Sequence, residues 1–87
     1  MKKPILYYKP TCPWCVEALD YFDKKGFRPE LRDVSANGEH YDELRKLSGQ
    51  GYVPTLVYGD FVVADFSVDE FIGALEEAPE IRGELGL

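Results

Sequence analysis

The chain has 87 residues, enough for one small domain, and its 45% hydrophobic and 14% aromatic content is that of a globular rather than a disordered protein. Ten Lys and Arg against 16 Asp and Glu give a net charge of −6 with no basic cluster longer than two residues, so nucleic acid is excluded as an expected partner. No apolar run approaches the roughly 18 residues of a membrane span, and Met1-Lys2-Lys3-Pro4 leads into a short apolar run without a signal-peptide core, so a cytosolic protein is expected.

Ile5-Leu6-Tyr7-Tyr8, bounded by Pro4 and Pro10, reads as a buried strand. A helix is expected from Pro13 to about Lys25, with Cys15, Leu19 and Phe22 on one face and Gly26 as its stop. The alternation from Phe27 to Val34 suggests a second strand, at a sheet edge because of Pro29. Ser35-Ala36-Asn37-Gly38 is a loop, and a helix follows from about Glu39 to Ser48 with Tyr41, Leu44 and Leu47 inward. Val53 to Tyr58 and Phe61 to Ala64 read as strands joined by Gly59-Asp60, a pair suited to a tight hairpin turn. Ser67 and Glu70 have the spacing of a capping box, and behind them Val68, Phe71, Ile72 and Leu75 fall at i, i+3, i+4 and i+7. The tail after Pro79, with Ile81, Leu85 and Leu87, adds at most a last helical turn. The order β-α-β-α-β-β-α predicts an α/β fold in a single domain, 1–87. A right-handed crossover joins two parallel strands, an antiparallel hairpin follows, and three helices flank one mixed four-stranded sheet.

Both cysteines lie in Lys9-Pro10-Thr11-Cys12-Pro13-Trp14-Cys15. A structural zinc needs four ligands, and the chain adds only His40, which reads as a surface residue near a helix start, so no metal is expected. A structural disulfide across so short a loop stabilises little and is reduced in the cytosol. Redox chemistry is what remains. Pro13 suits the first helical position, which places Cys12 at the N-cap. Its sulfur then faces the unpaired N–H groups of Trp14 and Cys15 and the positive end of the helix dipole. These favour the thiolate, and Lys9 adds positive potential. Cys15, one turn into the helix, is expected to stay protonated and act second. Cys12 attacks a disulfide, and Cys15 resolves the mixed disulfide that forms.

Pro54 opens the third strand. It reads either as a strand-initiating or edge proline, or as the second residue of a cis Val53–Pro54 bond. The cis form leaves the Val53 N–H and C=O facing outward, where an extended thiol peptide can pair with them. With Lys9, Cys12-Pro13-Trp14-Cys15, Val53-Pro54 and the hairpin leading to Asp65-Phe66-Ser67, the chain resembles the glutaredoxins over nearly its full length. The resemblance implies a thioredoxin-like fold, a cis Pro54, and a monomer that reduces protein or mixed disulfides with glutathione as co-substrate. It also implies that Cys12 is the nucleophile and Cys15 the resolving thiol. Val53 would pair with the backbone of glutathione's cysteine, and Lys9 and Gln50 would hold its glycine carboxylate. Trp14, beside Pro13, would wall the groove. The backbone N–H groups of Phe66 and Ser67 would meet the γ-glutamyl carboxylate, as helix N-termini meet anions generally.

One departure opens other readings. Glutathione-using members carry a Gly-Gly pair where this chain has Ala64-Asp65, and an aspartate beside a carboxylate pocket repels the ligand unless it turns away. Phe66 followed by a capping residue looks more like the redoxins that take electrons from thioredoxin reductase and serve ribonucleotide reductase. Those usually lack the proline at the position of Pro13, and Lys9 favours glutathione. A third reading is iron–sulfur carriage, with Cys12 and glutathione bridging a cluster between two monomers, which the stiff Pro13 loop disfavours.

Overall fold

β1 (Ile5–Tyr8) is apolar throughout because both of its faces are covered. Successive residues point to opposite sides of a sheet, and here Leu6 enters one hydrophobic cluster while Tyr7 enters another. The computed structural model describes residues 3–87, so Lys2 lies outside the described residues. Along the chain β1 is followed by α1 (Pro13–Lys24), β2 (Glu30–Asp33), α2 (Gly38–Ser48), β3 (Thr55–Tyr58), β4 (Phe61–Val63), α3 (Val68–Glu76) and α4 (Pro79–Leu85). The sheet order is β2-β1-β3-β4, with β1 parallel to β2 and the β1–β3 and β3–β4 pairs antiparallel. The fold is α/β on one mixed four-stranded sheet, as the element order predicts, and thioredoxin-like, as the resemblance implies, and β2 with Pro29 before it lies at an edge.

The first cluster joins Leu6 and Leu56 of the central strands to Ala18 and Phe22 of α1 and to Phe71 and Leu75 of α3. Its aromatic rings meet edge-on: Phe22 lies 5.0 Å from Phe27 and 5.2 Å from Phe71 between centroids. The second cluster, Tyr7, Val34, Leu44 and Val57, holds α2 to the opposite face. There the buried Tyr7 phenol donates to Glu43 Oε1 at 3.1 Å, and Arg32 bridges Glu43 and Glu30, tying α2 to the two parallel strands. Burial, followed by the Glu43 carboxylate, raises the Tyr7 phenol above its ordinary range.

Several expectations need correction. Among the described residues four helices flank the sheet, not three. α4 starts at Pro79, and Ile81, Leu85 and Leu87 pack half-buried on the first cluster. The tail after Pro79, expected to add a last helical turn, is a helix of seven residues with Pro79 first, where its missing N–H leaves nothing unpaired. β2 is half the expected length, and β3 begins at Thr55 rather than Val53. On α1 the fully buried face is Cys15, Ala18 and Phe22, with Leu19 half-buried beside it. On α2 only Leu44 is fully buried, while Leu47 is 47% exposed. Its contact with the sheet is a narrow stripe. The hairpin is as expected, with Tyr58 paired to Phe61 across Gly59-Asp60 and Gly59 at φ 60°, a left-handed conformation that glycine adopts without penalty.

Candidate active site

Cys12 is the N-cap of α1 and Pro13 follows at the first helical position. The Cys12 N–H donates to the Lys9 carbonyl at 3.2 Å, closing a turn, and the Cys12 carbonyl accepts from Val16 at 3.0 Å to begin the helix. The expected approach of the sulfur to the N–H groups of Trp14 and Cys15 yields no hydrogen bond. The sulfur instead donates to the Val53 carbonyl at 3.8 Å. The reason is chemical: a protonated thiol is a donor and seeks an acceptor, whereas the helix N-terminus offers only donors. Cys15 is fully buried one turn further on, and both thiols are free. Burial pushes the Cys15 thiol up to about 12. A hydrogen bond from the Lys9 backbone and the Lys9 charge oppose that rise, while the neighbouring Cys12 sulfur adds to it. One thiol is reachable and the other is held protonated beneath it. Lys9 is half-buried, and its ammonium enters no ion pair among the described residues.

The loop before β3 brings Val53 to the sulfur. The Val53–Pro54 bond is cis, the second of the two forms weighed from the sequence. Among the described residues the Val53 N–H donates to no group of the chain, and its C=O faces Cys12. A buried hydroxyl holds this loop in place. Thr55 Oγ1 donates to the Tyr52 carbonyl at 2.9 Å and accepts from Gln50 Nε2 at 3.2 Å and from the Asp65 N–H at 3.3 Å. Gln50 is spent on the same task. Its two amide hydrogens go to Ser48 and Thr55 hydroxyls, and its Oε1 accepts from the Tyr52 N–H at 2.7 Å. Gln50 therefore has no donor left for a glycine carboxylate. It is a strut of the loop. Gly51 lies against Tyr41; a β-carbon there would lie 2.6 Å from the Tyr41 hydroxyl, so the tyrosine ring would have to shift.

The third segment is 65–70. Phe66, 2% exposed, is a core residue that stacks on Phe71 at 5.1 Å, and its N–H donates to the Pro54 carbonyl at 3.1 Å. Ser67 is the N-cap of α3 in a complete capping box: its hydroxyl accepts from the Glu70 N–H at 3.2 Å, and its own N–H donates to Glu70 Oε1 at 2.9 Å. The two N–H groups expected to meet a ligand carboxylate are thus already engaged within the chain. Asp65 stands at φ 50° with its side chain exposed. Trp14, 57% exposed, walls a shallow cleft of about 80 Å³ completed by Asp65, Phe66, Ser67 and Glu70. A wider cleft of about 460 Å³ runs between the C-terminal half of α1 and β2, away from the cysteines. His40 lies in the first turn of α2, half-buried rather than exposed, at the opposite end of that helix from Gln50.

The structure thus gathers Lys9, Cys12, Cys15 and Val53 at one end of the sheet, with Trp14, Phe66 and Ser67 beside them. Sequence reasoning missed Thr55, which carries no signal apart from being a polar residue in an apolar strand, and missed what Glu70 does. The spacing of Ser67 and Glu70 announces the box but not that it faces the Trp14 cleft. A family model for glutaredoxin matches residues 5–63. A glutaredoxin of Neisseria meningitidis serogroup A is 35% identical over 69 residues, 77% of this chain and 80% of that protein. An uncharacterised glutaredoxin-like 8.6 kDa protein in a rubredoxin operon of Clostridium pasteurianum is 28% identical over 72 residues, 83% of this chain and 96% of that one. A buckwheat glutaredoxin solved in complex with glutathione is similar in fold, with a TM-score of 0.71 at 17% identity over 97% of this chain and 76% of that one. With a reachable thiol over a buried one at a helix start, and a match spanning most of its length, this chain belongs to the glutaredoxin family of thiol–disulfide oxidoreductases.

Proposed function

We propose that the protein, acting as a monomer of one domain, reduces protein and mixed disulfides through the Cys12/Cys15 dithiol and is itself reduced by glutathione. The observation that carries glutathione is the Val53 main chain, whose N–H is unpaired among the described residues and whose C=O lies beside the Cys12 sulfur. An extended cysteine peptide pairs its backbone with those two groups and brings its own sulfur to Cys12. Lys9, which enters no ion pair among the described residues, supplies a cation for the glycine carboxylate. The buckwheat relative bound to glutathione supports the same choice. Such chemistry runs where glutathione is kept reduced, which favours the cytosol.

The Cys12 thiolate attacks one sulfur of the substrate disulfide; that S–S bond breaks, and the departing thiolate takes a proton from solvent. Cys15 loses its proton and attacks the Cys12 sulfur, releasing the second thiol and leaving the Cys12–Cys15 disulfide. Two glutathiones reverse the oxidation. The first joins Cys12 and frees Cys15; the second removes the first as glutathione disulfide. The S–H bond to Val53 takes part in this sequence. A thiolate has no proton to donate, so on ionising Cys12 turns from the carbonyl toward the α1 N–H groups and frees the carbonyl for the incoming backbone.

Glutathione disulfide and intact-mass measurement test this reading. Cys15→Ser accumulates one glutathione per chain on Cys12, because nothing resolves the adduct, and Cys12→Ser accumulates none. An adduct on the Cys12→Ser protein, or none on Cys15→Ser, contradicts the assignment. The engaged Phe66 and Ser67 N–H groups favour a second reading, in which thioredoxin reductase supplies the electrons and ribonucleotide reductase receives them.

A further inference from the structure

We propose that Glu70 is a specificity-determining residue that makes this protein a weak binder of the γ-glutamyl end of glutathione, by holding a negative charge beside the position a ligand carboxylate would take. The proposal rests on the reading that Cys12 exchanges with glutathione disulfides. Glu70 Oε1 accepts from the Ser67 N–H at 2.9 Å, and the neighbouring Phe66 and Asp65 N–H groups are bound to the Pro54 carbonyl and the Thr55 hydroxyl. An anion drawn to the N-terminus of α3 must therefore displace Glu70 or settle for the Val68 and Asp69 N–H groups, beside the carboxylate of Asp69. The cleft that leads there is lined by Trp14, Asp65, Phe66, Ser67 and Glu70, two of which are acidic and none basic. A γ-glutamyl carboxylate entering it meets two fixed negative charges and no free main-chain donor at Phe66 or Ser67. The glycine end of the ligand is not affected, because neither Lys9 nor Val53 lines that cleft. The result is a site that engages the cysteinylglycine part of a thiol and discriminates against the rest.

A single-turnover exchange tests this with the whole reduced protein as the electron source. Wild type, Glu70→Gln and Glu76→Gln are each mixed with two disulfides of 2-mercaptoethanol, one with glutathione and one with cysteinylglycine. The reaction is followed by the fluorescence of Trp14, the single tryptophan of the chain. Glutamine also completes a capping box, so Glu70→Gln keeps α3 and removes only the charge. Its rate with the glutathione disulfide rises about fivefold while the cysteinylglycine rate stays within about twofold, the difference that removing one nearby like charge makes in a solvated cleft. Glu76→Gln, which makes the same charge change at the far end of α3, leaves both rates as in wild type. An unchanged glutathione-to-cysteinylglycine ratio in Glu70→Gln overturns the proposal, and so does a fall, which would make Glu70 a partner of the ligand's ammonium group. The outcome is separate from the choice of electron donor: a protein re-reduced by thioredoxin reductase alone still shows the shift, and one re-reduced by glutathione can lack it.

Discussion

Asp65 takes φ 50°, a conformation that glycine enters freely and a β-carbon resists. Its side chain is exposed, while its N–H is tied to the buried Thr55 hydroxyl, so the backbone geometry is set by the loop rather than by the aspartate. Asp65→Gly is expected to stabilise the protein by about 0.5–1 kcal/mol, the left-handed penalty less the extra freedom of glycine in the unfolded chain. That raises the thermal midpoint by about 3–6 °C for a domain this small. A lower midpoint would mean that the carboxylate makes a stabilising contact the geometry does not reveal. The redox pair was legible at this scale because its chemistry needs only two cysteines at a helix start and a proline between them. Gln50 was not. Whether an amide reaches outward or closes a loop depends on the Ser48 and Thr55 hydroxyls meeting it, and those become neighbours only in the fold.

Helices α1 and α3 were legible because each repeats its apolar positions over more than two turns beside a cap or an N1 proline. The strand limits were less so. Pro54 denies β3 its first ladder donor and shortens the strand to Thr55. α4 is the element the pattern did not show. It is seven residues long, has no side-chain N-cap, and offers the core only partly buried residues. Its place is fixed instead by contacts from distant parts of the chain, including the Tyr58 hydroxyl, which donates to Glu84 Oε1 at 2.8 Å. The packing implies that Leu85→Ala costs about 1 kcal/mol, below the range for a fully buried leucine because Leu85 stays half-exposed. Urea denaturation checks this. No loss of stability would show that α4 does not contribute to the core.

Across the whole molecule, three segments far apart in sequence converge at one end of the sheet. The Cys12 sulfur meets Val53 41 residues on, and Pro54 in turn accepts from Phe66. No local periodicity foretells that convergence. It was legible only through the likeness of Cys12-Pro13-Trp14-Cys15 and Val53-Pro54 to a known family, and that likeness gave the partners of the segments without their hydrogen bonds. The net charge of −6 leaves Lys9 as a cation in a mostly acidic setting, so an anionic thiol is held by few groups. The claim most exposed to test is therefore the source of electrons. The oxidised protein is assayed with a disulfide substrate in two arms, one supplying glutathione, glutathione reductase and NADPH, the other thioredoxin reductase and NADPH. Turnover is expected in the glutathione arm, through Lys9, the Val53 C=O and the Val53 N–H, which is unpaired among the described residues. Turnover only with thioredoxin reductase would contradict that expectation.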